Sequence, residues 1–286
     1  MKALPFTIPK PQNDALIYQE DHELIFYNKL HQHEEIQMSF IVKGEGTLVV
    51  GDTVTEYHKD DMIVIGSNLP HVFRSDLNTE GKSLMLTLFF SKTSFGEHFF
   101  ELNEFASIRG IFDKSSYGLK IVSHKKQLKA LFLSLKKQTR LERFISLLQI
   151  LRILRSSKTK QLSSFIHQRS YSDIHGKRMG AVLEYTMNHY TEAIDLLTIS
   201  NVASMTSHSF CKYFKQRTNK TYIQFLNEIR IENACKILLK NKEMTIDDAA
   251  LHSGFTSTSN FNRKFKRIKK MTPSEFRKRS SASRYE

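Results

Sequence analysis

The sequence lacks the features that mark secreted and membrane-embedded proteins. It contains only two cysteines, Cys211 and Cys235, which are too few for the disulfide framework of a small secreted domain. Its longest strongly apolar window, residues 84–90, is far too short to cross a bilayer. Residues 1–13 carry three prolines and no apolar run, so no targeting segment is predicted. These absences predict a cytoplasmic protein without a membrane partner.

Positive charge is in excess, but it is unevenly distributed. The chain of 286 residues carries 43 Lys and Arg against 29 Asp and Glu, a formal net charge of +14. Residues 1–100 are acidic with a net charge of −6, whereas residues 101–176 and 177–286 each carry +10. The length is sufficient for two domains with separate cores. A basic C-terminal part suits a polyanion such as DNA, although such charge can also serve solubility alone.

The stretch from Thr245 to Lys278 predicts three short helices near the C-terminal end. Thr245 is a candidate N-cap for the first helix, and Ala250 is small enough to let a second helix cross closely. Gly254 ends this helix, because glycine readily adopts the positive φ that such a turn requires. The stretch therefore opens with a helix and a tight turn.

The second and third helices of this stretch follow directly. Ser257 or Ser259 can cap the second helix, which places Phe261 and Phe265 toward the core. The dipeptide Thr272-Pro273 begins the third helix. Two small helices joined by a glycine-bearing turn, with the second polar outside, predict a helix-turn-helix. The polar and basic residues on that outer face are Asn262, Arg263, Lys264, Lys266 and Arg267.

This stretch resembles the C-terminal signature of AraC/XylS-type transcription regulators. The resemblance implies a DNA-binding domain with two helix-turn-helix units, covering Met179 to Arg279. The matching positions are Gly254, Phe255, Phe261, Phe265, Lys266, Thr272, Pro273, Phe276 and Arg277.

An internal repeat indicates that the domain contains two similar units. The pattern Phe-x-basic-x-Phe-Lys occurs at residues 210–215 and again at residues 261–266, 51 positions apart. Between the two copies, residues 222–241 predict a long helix, which the resemblance makes the connector of the two units. Its predicted buried residues are Ile223, Leu226, Ile229, Ala234, Ile237 and Leu238.

The first unit departs from the pattern. From Ala203 to Phe210 there are 7 positions, whereas Ala250 and Phe261 are 11 positions apart. Either Ser200 takes the role of the crossing alanine in a shifted register, or the turn is truncated. We favour the shifted register, which requires the hydroxyls of Ser200 and Ser204, if buried, to bond backbone carbonyls.

By their position in the motif, residues of the second helix of each unit are predicted to contact DNA. Arg263 can make a bidentate hydrogen bond to a guanine, and Asn262 can make one to an adenine. Several of these residues could instead contact phosphate. Lys269, Lys270 and Arg277 are predicted phosphate contacts or a solvated face. The predicted DNA-binding residues are His208, Cys211, Lys212, Thr258, Ser259, Asn262, Arg263, Lys266 and Arg267.

The N-terminal part has a β pattern after an irregular arm over residues 1–20. Short apolar or alternating runs between residues 23 and 88 are separated by turn residues, which favours a small sandwich or barrel. The strand candidates are LIFYNKL, IQMSFIV, GTLVV, DMIVI and SLMLTLFF.

Two further runs, HQHEEIQMSFIVKGEGTL and DDMIVIGSNLPHVF, resemble the two half-motifs of a cupin barrel. Gln37 stands where metal-binding cupins usually carry Glu. The resemblance covers roughly residues 20–90, and cupin sensor domains commonly precede AraC-type DNA-binding domains. We predict that His31, His33, Gln37 and His71 line a polar pocket for a small effector such as a sugar, without a metal cofactor. A divalent metal on the same three histidines is the alternative.

Residues 97–175 have a helical pattern. Residues 139–156 place Leu141, Phe144, Ile145, Leu148 and Leu151 on one face, and further leucines and isoleucines widen it. This helix is a candidate dimer interface, as the resemblance implies, although it could pack on its own barrel alone. The polar residues 157–176 are the predicted linker between domains.

The sequence thus predicts an α+β protein with four parts: a cupin-like β-barrel at 1–95, a helical segment at 96–156, the linker at 157–176, and a double helix-turn-helix domain at 177–286. The predicted function is sequence-specific, effector-responsive regulation of transcription by a non-enzymatic homodimer. Its partners would be double-stranded DNA and a small-molecule effector. The alternative is a metal-dependent cupin enzyme with an appended DNA-binding domain.

Overall fold

The computed structural model of the protein describes residues 14–24, 26, 29–76, 82–164, 173–241 and 243–282, with the side chains of 173–177 and 280–282 excepted. The chain divides into two compact units, Lys2–Lys177 and Arg178–Glu286. None of the helices in the described residues is long and apolar enough to cross a membrane.

The N-terminal unit is built from short strands followed by helices. The strands are β1 Ile17–Glu23, β2 Ile36–Lys43, β3 Gly46–Val50, β4 Thr53–Tyr57, β5 Met62–Ile65, β6 His71–Ser75, β7 Ser83–Phe90, β8 Leu119–Ile121 and β9 Thr159–Gln161. In the described residues they form a six-stranded sheet, ordered β1-β7-β2-β5-β8-β9, and a three-stranded sheet, ordered β4-β3-β6. All pairings within these sheets are antiparallel.

The six-stranded sheet is buried on both faces, because alternate residues of its central strands point to opposite sides. On one side Met38 and Phe40 pack with the helices of this unit. On the other side Ile41 and Ile63 pack with residues of the three-stranded sheet. Burial on both faces explains why β2, β5 and β7 are almost continuous apolar runs rather than alternating ones.

The predicted fold class is confirmed, with one change: the strands lie in two sheets and not in a single closed barrel. Four strand candidates are confirmed as β2, β3, β5 and β7. The candidate at residues 24–30 lies partly outside the described residues. Strands β1, β4 and β6 were not predicted, because each carries polar residues. The predicted irregular arm is wrong from Ile17 onward, where β1 begins, and residues 1–13 lie outside the described residues.

Three helices cover one face of the large sheet: α1 Arg109–Ser115, α2 Lys125–Ser134 and α3 Arg140–Ser156. A capping box starts α3, with Thr139 accepting from the Glu142 amide and the Glu142 carboxylate accepting from the Thr139 amide. The predicted face of α3 is only partly the packed one, because Leu141 is 68% exposed and Ile145 is 47% exposed. The apolar residues that α3 buries are Leu147, Ile150, Leu151 and Leu154.

The predicted linker at 157–176 is not irregular throughout, although the boundary between the two units falls directly after it. Residues Thr159–Gln161 form β9, which pairs with β8, and Leu162 and Ser163 are buried. A helix already begins at Asp173. The middle of the predicted linker, residues 165–172, lies outside the described residues.

The C-terminal unit is helical. The helices of this part of the chain are α4 Asp173–His189, which begins five residues before the unit boundary, α5 Leu196–Val202, α6 Ser207–Thr218, α7 Tyr222–Lys240, α8 Ile246–His252, α9 Thr258–Lys269 and α10 Pro273–Ala282. The connector α7 is confirmed, and it buries Leu226, Ile229, Ala234 and Leu238 as predicted. Ile223 was predicted to be buried, but it is exposed at the start of α7.

Candidate functional site

The second helix-turn-helix unit comprises α8 and α9. Gly254 has a φ of 86°, and the next amide, that of Phe255, donates to the Ala250 carbonyl at 3.0 Å. Thr245 caps α8 and Ser257 caps α9, each by accepting the backbone N–H three residues later. The predicted caps, the glycine turn and the small crossing residue are all confirmed.

Helix α9 has one buried and one exposed face. Phe261 and Phe265 are fully buried, because i, i+4 spacing places both on the core side. Arg263 lies on the outer face and donates to Asn260 Oδ1 at 3.1 Å. Of the predicted DNA-binding residues of this unit, Thr258 is half-buried and five are exposed: Ser259, Asn262, Arg263, Lys266 and Arg267.

Two basic residues that were predicted to contact phosphate or to be solvated have partners within the protein. Lys269 Nζ lies 2.6 Å from a carboxylate oxygen of Glu232 on α7. Arg277 Nη2 donates to the Met244 carbonyl at 2.7 Å. These contacts attach α9 and α10 to the domain core, so the prediction for both residues is corrected. Lys270 is exposed and ends α9 with a φ of 60°.

The first unit, α5 and α6, follows the shifted register. The Met205 amide donates to the Ser200 carbonyl at 2.9 Å, which is the bond that Phe255 makes to Ala250 in the second unit. Ser200 is therefore the counterpart of Ala250, and it is fully buried with its hydroxyl donating to the Leu197 carbonyl at 3.0 Å. Ser204, unlike Ser200, is exposed, and it takes the turn position with a φ of 51°.

Helix α6 exposes the three residues predicted to contact DNA, His208, Cys211 and Lys212. It also exposes Lys215, which was not among the predicted residues. The repeat could have identified this lysine, because Lys215 and Lys266 end the two copies of the same pattern. By contrast, Arg217 turns back over the ring of Tyr213, with 4.0 Å from its guanidinium carbon to the ring centroid.

Arg230 of α7 was not among the predicted residues, yet it connects the two helix-turn-helix units. Its Nε donates to the Tyr190 carbonyl and its Nη2 to the Glu192 carbonyl, each at 2.7 Å. A Cβ on Gly254 would lie 2.9 Å from the same Nε and 2.6 Å from the Tyr190 carbonyl oxygen. Arg230 thus fixes the loop before α5 against the turn of the second unit.

The N-terminal unit contains a buried cluster of His31, His33 and His71. One ring nitrogen of each lies within 4.8 Å of those of the others. Their Nδ1 atoms each contact a backbone carbonyl, which can only accept, so each Nδ1 carries the proton. Burial lowers the pKa of His31 to about 4, lowers the pKa of His33, and lowers the pKa of His71 well below its ordinary value. The carbonyls belong to Lys29 at 2.9 Å, Glu35 at 2.8 Å and Leu69 at 2.8 Å.

Gln37 lies beside two rings of this cluster. Its Oε1 is 3.1 Å from His33 Nε2 and 2.9 Å from His71 Nε2, and its Nε2 donates to Ser39 Oγ at 2.8 Å. A neutral imidazole that donates from Nδ1 carries its lone pair on Nε2. The histidines therefore present acceptor nitrogens toward one place. The –NH₂ of an amide, which can exchange places with its oxygen by a simple flip, satisfies such acceptors, as does a ligand hydroxyl.

The donor set also fits a divalent cation. Neutral imidazole nitrogens and an amide oxygen are competent ligands, although a neutral amide is weaker than a carboxylate. Holding the second nitrogen of each ring with a carbonyl is the arrangement found around ligating histidines. The sequence had brought all four residues into one predicted site; the structure brings the three histidines together and places Gln37 beside His33 and His71.

Comparison with known proteins gives the following similarities. A family model described as a helix-turn-helix domain matches residues 199–279, and one described as a cupin domain matches residues 26–87. The uncharacterized HTH-type transcriptional regulator YdeC of Bacillus subtilis (strain 168) is 26% identical over 263 residues, covering 89% of this chain and 88% of the relative. An uncharacterized HTH-type transcriptional regulator of Staphylococcus aureus (strain MRSA252) is 24% identical over 277 residues, covering 93% of this chain. This chain covers 34% of that relative, about a third of its length.

Two solved structures illustrate the similarity of the chain to known folds. The DNA-binding domain of AdpA, in complex with a target DNA, is 25% identical with a TM-score of 0.35, covering 37% of this chain and 94% of that one. A variant of apo ToxT from Vibrio cholerae is 18% identical with a TM-score of 0.38, covering 94% of this chain and 98% of that one.

Proposed function

We propose that this DNA-binding transcription regulator, in which a cupin domain precedes an AraC-type helix-turn-helix domain, changes its binding to DNA when a small molecule occupies the cupin domain. The observation that carries the proposal is the pair of exposed polar helix faces on α6 and α9, both of which pack against the connector α7. The histidine cluster of the other unit supplies the sensor.

Base reading belongs to the outer faces of α6 and α9. Arg263 can present two donors to a guanine, and Asn262 can pair with an adenine. Lys266 and Arg267 lie one turn further along α9 and reach phosphates, which fix orientation without reading sequence. On α6 the corresponding side chains are Cys211, Lys212 and Lys215, of which only the lysines carry charge.

The effector binds at His31, His33, Gln37 and His71. Because the three rings are neutral and present acceptor nitrogens, the matching ligand is a small molecule rich in hydroxyl donors, such as a sugar. Ser39 and Thr87, which follow Gln37 in a chain of hydrogen bonds, hold its amide in place. A divalent cation at the same residues is the second candidate, since the donor set fits it. The enzyme alternative is disfavoured because Gln37 takes the place of a metal-binding carboxylate.

The regulator acts as a homodimer through α3. One face of α3 packs on its own unit, while Leu141 and Ile145 are exposed and Phe144 and Leu148 are half-buried. A second copy of the same face covers this stripe in an isologous contact. Two copies would bring two double helix-turn-helix domains to a repeated DNA site in the cytoplasm.

Titration of a duplex from the protein's own upstream DNA tests the DNA-binding role. If about six phosphates are neutralised, affinity falls about 10³-fold between roughly 50 and 200 mM salt. Replacing Lys212, Arg263 and Lys266 together by Ala should remove most of this binding. The control Lys126→Ala removes an exposed lysine of the N-terminal unit and should leave binding unchanged. Absence of duplex binding at low salt, or equal effects of the two variants, would refute the proposal.

Sedimentation of charge-introducing variants tests the dimer. Ile145→Glu should yield a folded monomer, because a carboxylate cannot be buried in the contact without a partner. Leu133→Glu is the matched control, since Leu133 on α2 is also 47% exposed but lies on another helix. A wild-type monomer, or an Ile145→Glu dimer, would contradict the role of α3.

A further inference from the structure

Asp52 is a buried carboxylate whose partners lie more than a hundred residues away. Its Oδ1 accepts from Ser163 Oγ at 2.9 Å and from the Ser164 amide at 2.8 Å, and its Oδ2 accepts from Ser164 Oγ at 2.5 Å. A carboxylate that is fully removed from solvent is strongly destabilising unless donors surround it. Three of its donors come from two consecutive residues, so they are gained or lost together.

Ser163 and Ser164 lie where the chain leaves the N-terminal unit. The Leu162 amide donates to the Gly118 carbonyl at 2.9 Å, and the Ser163 amide donates to the Tyr117 carbonyl at 2.7 Å. Helix α4, which leads into the DNA-binding domain, begins at Asp173. The bonds to Asp52 are therefore the last contacts of the described chain before that helix.

Asp52 also lies close in the fold to the histidine cluster. It sits in the turn between β3 and β4, and the preceding Gly51 amide donates to the Pro70 carbonyl at 2.8 Å. Val50 pairs with His71 across the small sheet. The His71 ring in turn bonds the Leu69 carbonyl. The three consecutive residues 69–71 thus contact both the sensor cluster and the turn that carries Asp52.

We propose that Asp52 is a positioning residue that couples the histidine cluster to the chain leading to the DNA-binding domain, by fastening Ser163 and Ser164 to the β3–β4 turn. The inference rests on the proposed function, because it describes how occupancy of that cluster reaches DNA. A ligand that displaces His71 moves the 69–71 segment. Through the Gly51 amide it also moves the Asp52 carboxylate that holds Ser163 and Ser164, a contact that we call the latch.

The contact of Asp52 with Ser163 and Ser164 sets how many residues, here called the tether, separate the last fastened residue from α4. With Ser164 fastened, eight residues precede α4. If the chain is released back to Gln161, the end of β9, the tether gains three residues. At about 3.3–3.6 Å per extended residue, its maximum reach grows by about 10 Å. That is about three base pairs of DNA, so a fastened tether restricts which half-site spacings a dimer can span.

Hydrogen exchange of the full-length protein, measured residue by residue, tests the latch without DNA. Asp52→Asn keeps the volume and one acceptor oxygen, and Asp52→Ala removes all acceptors. In Asp52→Ala the Ser164 amide should exchange about tenfold faster or more, because its bond is to a charged acceptor. The Leu162 amide, which bonds the Gly118 carbonyl, should change less and serves as the internal reference. Asp113→Asn, an exposed carboxylate on α1, is the control and should change neither.

The coupling is tested with His71→Gln as a perturbation of the cluster. His71→Gln alone should accelerate exchange at Ser164, whereas adding it to Asp52→Asn should give no further acceleration. A purely structural Asp52 would instead give effects that multiply independently. Unchanged Ser164 exchange in Asp52→Ala, or independent effects in the double variant, would overturn the proposal.

The DNA consequence has its own readout. Wild-type protein should discriminate duplexes whose half-site spacing differs by three base pairs, and Asp52→Asn should bind them within about threefold of one another. Spacing discrimination that persists in Asp52→Asn would overturn this tether account. If wild-type protein binds no duplex at all, the proposed function fails, while the exchange experiments still decide the latch.

Discussion

In the second helix-turn-helix unit the chain reverses at Gly254, with a φ of 86°, whereas in the first it reverses at Ser204, with a φ of 51°. The turn between helices runs over residues 253–257 in the second unit and over residues 203–206 in the first, one residue shorter. A shorter turn with an L-residue in the left-handed region is accessible because Ser204 is exposed. The glycine is required where the turn packs against other backbone.

The outer faces differ more than the backbones do. Arg263 on α9 has a planar guanidinium that can donate two parallel hydrogen bonds to a base. Its counterpart on α6 is Lys212, whose ammonium group is a point charge. Asn262 corresponds to Cys211, which has little hydrogen-bonding capacity. The same fold thus presents a face with paired hydrogen-bonding groups in one unit and a mainly electrostatic face in the other.

The largest effect is expected from Gly254→Ala. A Cβ there would lie 2.6 Å from the Tyr190 carbonyl oxygen and 2.8 Å from Thr191 Cα, both of which are backbone atoms. Left-handed strain and overpacking together should lower the free energy of unfolding by about 2–4 kcal/mol. Urea unfolding of the full chain measures it. Ser204→Gly is the matched change in the first unit, and it should stabilise by up to about 1 kcal/mol. Equal and small effects at both positions would erase the distinction between the turns.

An intermediate effect is expected from replacing Arg263 on α9 and Lys212 on α6. Arg263→Ala should cost about 1–3 kcal/mol on the specific site and relax the preference at one base position. Lys212→Ala should weaken binding to all sequences alike and reduce the salt slope by about one charge. Binding to a set of single-base variants of the site measures both. If Lys212→Ala relaxes base preference as strongly as Arg263→Ala, the first unit reads sequence as the second does.

The smallest effect is expected from Ser200→Ala. The hydroxyl of Ser200 donates to the Leu197 carbonyl and lies 3.1 Å from Ser207 Oγ, but the second unit fills the same place with Ala250. Losing one neutral hydrogen bond while burying a methyl group should change the free energy of unfolding by less than about 1 kcal/mol. A loss above about 2 kcal/mol would show that the hydroxyl is needed for the shorter turn.

Features that depend on neighbouring residues could be predicted from the sequence. Thr245, Ser257 and Gly254 act on backbone groups within a few positions, so the caps and the turn follow from local chemistry. The register of the first unit followed from counting residues between Ser200 and Phe210. The half-motifs brought His31, His33, Gln37 and His71 into one predicted site because each lies in a recognisable run.

Features that depend on distant partners could not be predicted. Lys269 and Arg277 look like their solvated neighbours, and only the packing of α7 and α10 gives them Glu232 and the Met244 carbonyl. Arg230 and Asp52 act on groups roughly forty and more than a hundred positions away. Periodicity found the apolar stripe of α3 but could not show which half of it packs inward, because several faces were equally apolar.

The three-residue strand β9 has a consequence for dividing the protein into parts. It forms one edge of the six-stranded sheet, and all of Thr159–Gln161 is exposed, with Lys160 at its centre. A short edge strand that carries a lysine discourages sheets of different molecules from joining edge to edge. An N-terminal fragment cut at Ser156 would lose β9 and leave β8, with its buried Leu119 and Ile121, as an open template for aggregation. A fragment that ends after Ser164 keeps this protection, so the place where the sheet stops also decides where the chain can be cut.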